Sequence, residues 1–295
     1  MIDHKNHKNQ RSIRPKEMKK LLLFSALLLS LTACTDTIDV DVEGGETQLA
    51  VDGEITDQPG PYTIKLTETV YAFGSDAPPA VRGATVLLAD SQGKVDTLRE
   101  TSPGTYQTRS LRGRVGNSYT LTIGNTRFGT YKATTEIRRP TPIDSVYAEY
   151  RDIVPGTTSS GYLIRYNYTD PKGVGDNFRA KLYQGTGSEA AKLLNKPFNL
   201  SFVQDIYNDG QTVKDVLTTP EKFEKGDRAV LVLASLTNDA YLFLNELQQQ
   251  TNNGGLFANP PANVRTNIVN TDANGKKAVG YFFGSAITTR TTTVN

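Results

Sequence analysis

Beyond carboxylates, hydroxyls and tyrosines, this chain offers few side chains that could do chemistry. Its 295 residues include one cysteine (Cys34), two histidines (His4 and His7) and no tryptophan. Both histidines fall in the first 33 residues, which read as a removable leader. The remaining 262 residues therefore have no histidine for a Ser-His-Asp or Cys-His site, and zinc held by His and Cys is excluded with them. Three local patterns remain. Ser91-Gln92-Gly93-Lys94 spells S-x-x-K, the Ser-Lys acyl-transfer pattern, but no S-D-N or K-T-G comes after it, and its setting is that of a hairpin turn. Asn270-Thr271-Asp272-Ala273-Asn274-Gly275 opens like a calcium loop, yet Tyr281 stands where the bidentate Glu belongs, so a tight turn is expected. In Asp170-Pro171-Lys172-Gly173-Val174-Gly175-Asp176-Asn177, the side chains of Asp170, Asp176 and Asn177 could cup a structural calcium. No phosphate-cradling G-x-x-x-x-G-K-[ST] occurs. Glycoside hydrolysis needs two Asp/Glu flanking a bond, and with this many acids the sequence singles out no pair.

Charge points away from nucleic acid. The leader holds seven of the 33 basic and two of the 31 acidic groups, leaving 26 and 29. The formal charge thus moves from +2 to about −3, and the apparent basicity belongs to the leader. Nine of the 14 tyrosines lie beyond residue 142, among them Tyr147, Tyr150, Tyr162, Tyr166, Tyr168 and Tyr183. Tyrosines at alternating strand positions serve a core better than a sugar platform, and the lack of Trp agrees.

The elements that must position these groups are strands. From Thr47 to Thr135 apolar residues recur with period two: Leu49/Val51, Tyr62/Ile64/Leu66, Val86/Leu88, Tyr119/Leu121/Ile123 and Tyr131/Ala133. Turn residues separate them at Asp57–Gly60, Asp90–Gly93, Ser102–Gly104 and Arg112-Gly113. Short strands at this spacing predict an immunoglobulin-like or transthyretin-like β-sandwich over 47–137. Pro140 and Pro142 mark a boundary. A second β-rich domain is expected over 143–295. Its expected strands are Tyr162–Tyr168, Phe178–Leu182 and the doubly apolar Ala229–Leu233, central in its sheet. One helix is expected near 238–250, with Ala240, Phe243, Leu244 and Leu247 at helical spacing and Thr237 or Asn238 as N-cap. Tyr281-Phe282-Phe283 reads as the last strand. The class is mostly β: a sandwich, then a β-rich domain with one packed helix.

The leader carries its own message. Met18-Lys19-Lys20 precedes an 11-residue apolar run, Leu21–Leu31, too short for the ~20 residues of a membrane helix. It ends in Leu31-Thr32-Ala33-Cys34, which resembles a bacterial lipobox, with the cysteine lipidated as the first mature residue. Residues 1–33 are then the leader, with translation starting at Met1 or Met18, and 34–46 an acidic tether. Several acyl chains on Cys34 would anchor the protein durably to a bilayer.

Beyond the lipobox, Leu49–Asp57 with Gly60-Pro61-Tyr62 resembles the opening of an uncharacterised family of Bacteroidota outer-membrane lipoproteins. Val81–Val86, Gly104-Thr105-Tyr106, Gly116–Tyr119, Pro142–Val146, Asp170-Pro171, Gly226-Asp227, Pro261–Val264, Asn267-Ile268 and Gly280-Tyr281-Phe282 continue the likeness. Members carry a domain-of-unknown-function label and are often encoded beside TonB-dependent receptors. The resemblance implies an outer-membrane location, on the periplasmic or cell-surface face, and a TonB-dependent receptor as partner. It supplies no catalytic residues.

The expectation is a non-enzymatic, lipid-anchored protein that binds a ligand or receptor partner during nutrient uptake, with no cofactor unless the calcium cup is filled. A surface glycan hydrolase using paired carboxylates and a structural or adhesive lipoprotein are the alternatives. The binding residues are sought at the seam between the two β domains and in Asn252–Asn270. That stretch offers Leu256, Phe257, Asn263 and Arg265, because long irregular segments often carry function.

Overall fold

Period-two patterning becomes strand pairing wherever one face of a strand can be buried. The computed structural model describes residues 46–70, 77–186, 192–193, 201–204, 206, 208–251 and 263–295. These belong to one compact unit, Gly45–Asn295. Eight strands come first: β1 (Leu49–Thr56), β2 (Thr63–Glu68), β3 (Thr85–Asp90), β4 (Val95–Thr97), β5 (Arg99–Ser102), β6 (Thr105–Gln107), β7 (Ser118–Thr126) and β8 (Gly129–Glu136). Beyond Pro142 lie β9 (Ile143–Arg151), β10 (Gly161–Thr169), β11 (Phe178–Thr186), β12 (Lys192–Leu193), β13 (Ser201–Val203), β14 (Thr212–Leu217) and β15 (Asp227–Ser235). Helix α1 (Asn238–Thr251) comes next, then β16 (Ile268–Asn270), β17 (Ala278–Ser285) and β18 (Ile287–Thr293). The described residues are mostly β, with two sandwiches and one packed helix.

The first sandwich faces a sheet ordered β17-β1-β2-β6-β5 against one ordered β16-β8-β7-β3-β4. Leu49, Val51, Ile64 and Leu66 meet Val86, Leu88, Tyr119, Leu121, Ile123 and Tyr131 in its core. Each such aliphatic side chain contributes roughly 1.5–3 kcal/mol by burial. The buried tyrosines keep their hydroxyls satisfied at loops. Tyr106 donates to the carbonyl of Val81 at 2.9 Å, and Tyr62 to that of Gln58 at 2.6 Å. Ser91–Lys94 is the β3–β4 hairpin turn, where the Asp90 carboxylate accepts from the amides of Gln92 and Lys94.

The division at residue 143 needs correcting. Two late strands return to the first sandwich: β16 pairs antiparallel with β8, and β17 pairs parallel with β1 over its whole length. Ile268, Ala278, Phe282 and Ala286 complete the first core. The physical reason lies in Tyr281-Phe282-Phe283. It is apolar on both faces, so one face needs the first core and the other needs a separate cover. Nor is this the last strand. β18 (ITTRTTT) lies beyond it, its threonines giving no apolar period, and pairs with β15.

The second sandwich faces β14-β10-β9 against β12-β11-β15-β18, with β13 also on β11. Ile143, Tyr166, Tyr168, Phe178, Ala180, Leu231 and Leu233 fill its middle, while Ile164, Leu182, Phe223, Ala229 and Val294 fill one end. The apolar β15 lies between β11 and β18, with Val230 and Val232 half-buried on its second face. The sandwiches are tied where the chain crosses from β17 to β18. Ser235 Oγ donates to the carbonyl of Arg138 and accepts from the amide of Ala286. The Asp57 carboxylate accepts from the amide of Ile287 at 3.0 Å.

Candidate functional site

Strand alternation sends Val51, Gly53 and Ile55 of β1 into the first core and leaves Ala50, Asp52 and Glu54 on the outer face. The parallel register sets Val279, Tyr281 and Phe283 of β17 beside them. This outer face is a floor with an apolar track along one strand and carboxylates along the next. Gly280 makes the close β1–β17 approach possible: its φ is +92°, and a Cβ there would lie 2.0 Å from the carbonyl oxygen of Val51.

Helix α1 covers the apolar track. The Thr237 hydroxyl accepts from the amide of Ala240 at 3.1 Å and so caps the helix. Ala240, Phe243 and Leu244 pack on Tyr281 and Phe283, with Leu247 at the margin. The ring centroids of Phe243 and Tyr281 are 4.8 Å apart, and those of Tyr281 and Phe283 are 4.7 Å apart. The Tyr281 hydroxyl donates to Asp239 at 2.7 Å, and burial first, then this bond, pushes its pKa up.

The carboxylate side meets β11. Phe178, Ala180 and Leu182 face the second core, so Arg179 and Lys181 emerge opposite the first sandwich. Glu54 pairs with both, at 2.8 Å to Arg179 and 3.1 Å to Lys181. Burial opposes ionisation of Glu54, but the two cations outweigh it and lower its pKa from 4.5 to about 2. Lys181 is pushed down, by burial first and by Arg179 next. The Arg179 guanidinium carbon stands 4.4 Å from the centroid of the Phe283 ring, and its Nε is buried without a hydrogen-bond partner.

Between floor, helix and β11 lies a cavity of about 1100 Å³, at the upper end of ligand-pocket volumes. Phe202, Phe243, Leu244, Leu247, Val264 and Tyr281 supply much of its apolar wall, and Asp52, Arg179, Lys181 and Lys277 are among its charged residues. The seam therefore holds a ready-made space.

Of the residues singled out from sequence, Asn263 and Arg265 line this cavity. The Arg265 side chain is already committed: Nε donates to Glu246 at 2.8 Å and Nη1 to Asp239 at 3.1 Å, stapling the segment before β16 onto α1. Leu256, Phe257 and Cys34 lie outside the described residues. The calcium cup has a different occupant. Arg139 donates from Nε to Asp176 at 2.7 Å and from Nη2 to the carbonyls of Lys172 and Gly173, each at 2.7 Å. The guanidinium thus takes Asp176, one of the three side chains of the expected cup. Asp170 accepts from the amide of Gly210 at 3.3 Å. No group of three or more His, Cys, Asp or Glu positioned for a metal ion occurs among the described residues. The turn after Asn270 is built by side-chain bonds, with Asn270 accepting from the amide of Asp272 and Asp272 from that of Asn274.

Glu54, Arg179, Lys181, Phe202 and Tyr281 are site residues that sequence reasoning misses. A signal is present all the same: Asp52-x-Glu54 and Arg179-x-Lys181 repeat opposite charges at the strand period, each on a strand whose other face is apolar.

The family model for a domain of unknown function (DUF4249) matches residues 35–291. The chain belongs to this family. The DUF4249 match spans both sandwiches, the helix and every residue named at the cavity. No curated protein matches the chain. Among solved structures it is similar to a two fibronectin type-III domain segment from chicken tenascin. Identity is 14%, coverage is 65% of this chain and 93% of that one, and the TM-score is 0.20. So loose a superposition adds nothing to the fold, which rests on the strand pairing above. No helix among the described residues is long and apolar enough to cross a membrane.

Proposed function

We propose that the protein is a non-enzymatic, lipid-anchored binding protein of the outer membrane that holds a small apolar ligand in the seam cavity and serves a TonB-dependent receptor in nutrient uptake. The observation that carries the binding role is the roughly 1100 Å³ space between two sandwiches and a helix, with a largely apolar, partly aromatic wall. The anchor rests on the Leu31–Cys34 pattern, and the receptor on the family's genetic neighbourhood. Binding is favoured over glycan hydrolysis because Asp52 is the single carboxylate among the described residues lining the cavity, and hydrolysis needs a pair.

The ligand role is tested with N-phenyl-1-naphthylamine, an uncharged aromatic probe whose fluorescence rises on burial. Saturable binding that is lost in Leu247→Trp, which fills the cavity from α1, is expected. Binding indifferent to that substitution would remove the cavity from the account. The partner role is tested by recovering the C-terminally tagged, lipidated protein from native outer membrane. A near-stoichiometric TonB-dependent receptor supports it, and recovery of the protein alone overturns a stable complex.

A further inference from the structure

Resting on the reading that the cavity binds a ligand, we infer that its ligand is a small organic acid, an apolar body ending in an anionic group that Arg179 receives. The two arginines of the wall differ in a way that points to this. Arg265 is saturated by Glu246 and Asp239. Arg179 carries five N–H donors and meets one carboxylate oxygen, Glu54 Oε1, through Nη2. Its Nε and Glu54 Oε1 are both enclosed without a hydrogen-bond partner, so Glu54 leaves this guanidinium incompletely bonded although Arg179 lines the cavity. A guanidinium over an aromatic ring, in contact with one carboxylate oxygen and lining the cavity, is arranged for a second anion.

The charge around it agrees. Arg179 and Lys181 emerge two residues apart on β11 and share Glu54. Asp52, two residues before Glu54 on the same face, is the carboxylate of the cavity wall. It adds to the attraction on Lys181, which still titrates below its ordinary range. The pair of cations is thus incompletely compensated on the Arg179 side. Lys277 immediately precedes β17, six residues back from Phe283, about 20 Å at ~3.3 Å per residue. It therefore belongs to the opposite end. An acid with its anion at Arg179 lays its body along Phe283, Tyr281 and Val279, under Phe243, Leu244 and Leu247.

Two probes with one skeleton separate the inference from the reading beneath it. 8-Anilinonaphthalene-1-sulfonate is N-phenyl-1-naphthylamine with an added sulfonate. Both are titrated into the full chain carrying Cys34→Ala, which removes the acylation site and the need for detergent. The sulfonate is expected to bind at least ten-fold more tightly than the neutral probe. Arg179→Gln should cancel that advantage, read as the ratio of the two probes' affinities in the same variant. Glu54 keeps Lys181 in that variant, and the melting midpoint verifies folding. Arg179→Lys retains the charge without the planar fork and should recover part of the loss. Equal affinities in the native chain overturn the acid, whatever the variants do, and leave the cavity reading intact. Failure of both probes, or binding of both that ignores Leu247→Trp, overturns the cavity reading itself.

Discussion

Replacing Glu54 by Gln removes the carboxylate that Arg179 and Lys181 share. A carboxyl lowered from 4.5 to about 2 has its ionised form favoured in the folded state by about 3 kcal/mol. Its side chain keeps 26% of its surface open, so the loss at neutral pH should fall at about 2–3 kcal/mol. The sign is set by the depressed pKa. The contribution is complete above pH 4.5 and disappears as pH falls through about 2. Urea unfolding of both proteins from pH 8 to pH 2 tests this. The gap should be flat from pH 8 to about 5 and should close below 4.5. Adding Lys181→Met should recover part of it, because one buried cation fewer then lacks a counter-charge. A gap under about 1 kcal/mol at pH 7, or one that stays constant down to pH 2, would refute the reasoning.

The packing sets three further outcomes. Asp96→Ala leaves the amides of Arg109, Ser110 and Leu111 without the carboxylate they share, within 2.9 Å each. A loss of about 3–5 kcal/mol in denaturant unfolding is expected. Gly280→Ala forces a side chain into a positive-φ position against the Val51 carbonyl. It should lose about 2–4 kcal/mol and lower the melting midpoint far more than Gly93→Ala, which meets nothing in its turn. Arg139→Lys keeps the charge but cannot span the Asp176 carboxylate and two carbonyls at once. A loss of about 2 kcal/mol is expected, with no recovery on adding calcium, in a thermal melt.

The sequence makes legible whatever depends on neighbours along the chain. Tyr62, Ile64 and Leu66 alternate because one face of one strand is buried, and all three lie in the first core. Asp90-Ser91-Gln92-Gly93 is a turn because its own side chains bond its own amides. Thr237 and the Ala240/Phe243/Leu244 stripe specify the helix and its buried face. The pairing of β1 with β17 is not legible, since period-two patterning says that a face is buried without saying by which distant strand. β18 escapes notice because an edge strand of threonines buries little. The cavity needs both facts at once: the second face of Tyr281-Phe282-Phe283 demands a cover, and only the fold shows that helix α1 and β11 provide it. Asp176 is instructive in another way. An acidic, glycine-rich turn does want a cation, and here the cation comes from Arg139 in the linker.

The return of β16 and β17 also fixes when this protein can become itself. Contacts such as that between Asp57 and Ile287 join residues 230 positions apart, so the opening sandwich is not a module that closes as it emerges. A chain delivered end-first across a membrane presents eight strands with the β1 and β8 edges unpaired, and those edges are templates for wrong partners. They stay open until the strands beyond residue 268 have arrived. Non-local pairing of this kind slows folding and lengthens exposure to aggregation. A chain that stops between residues 235 and 268 therefore lacks β16 and β17 from the first sandwich and β18 from the second, leaving two half-built sandwiches rather than one finished and one missing.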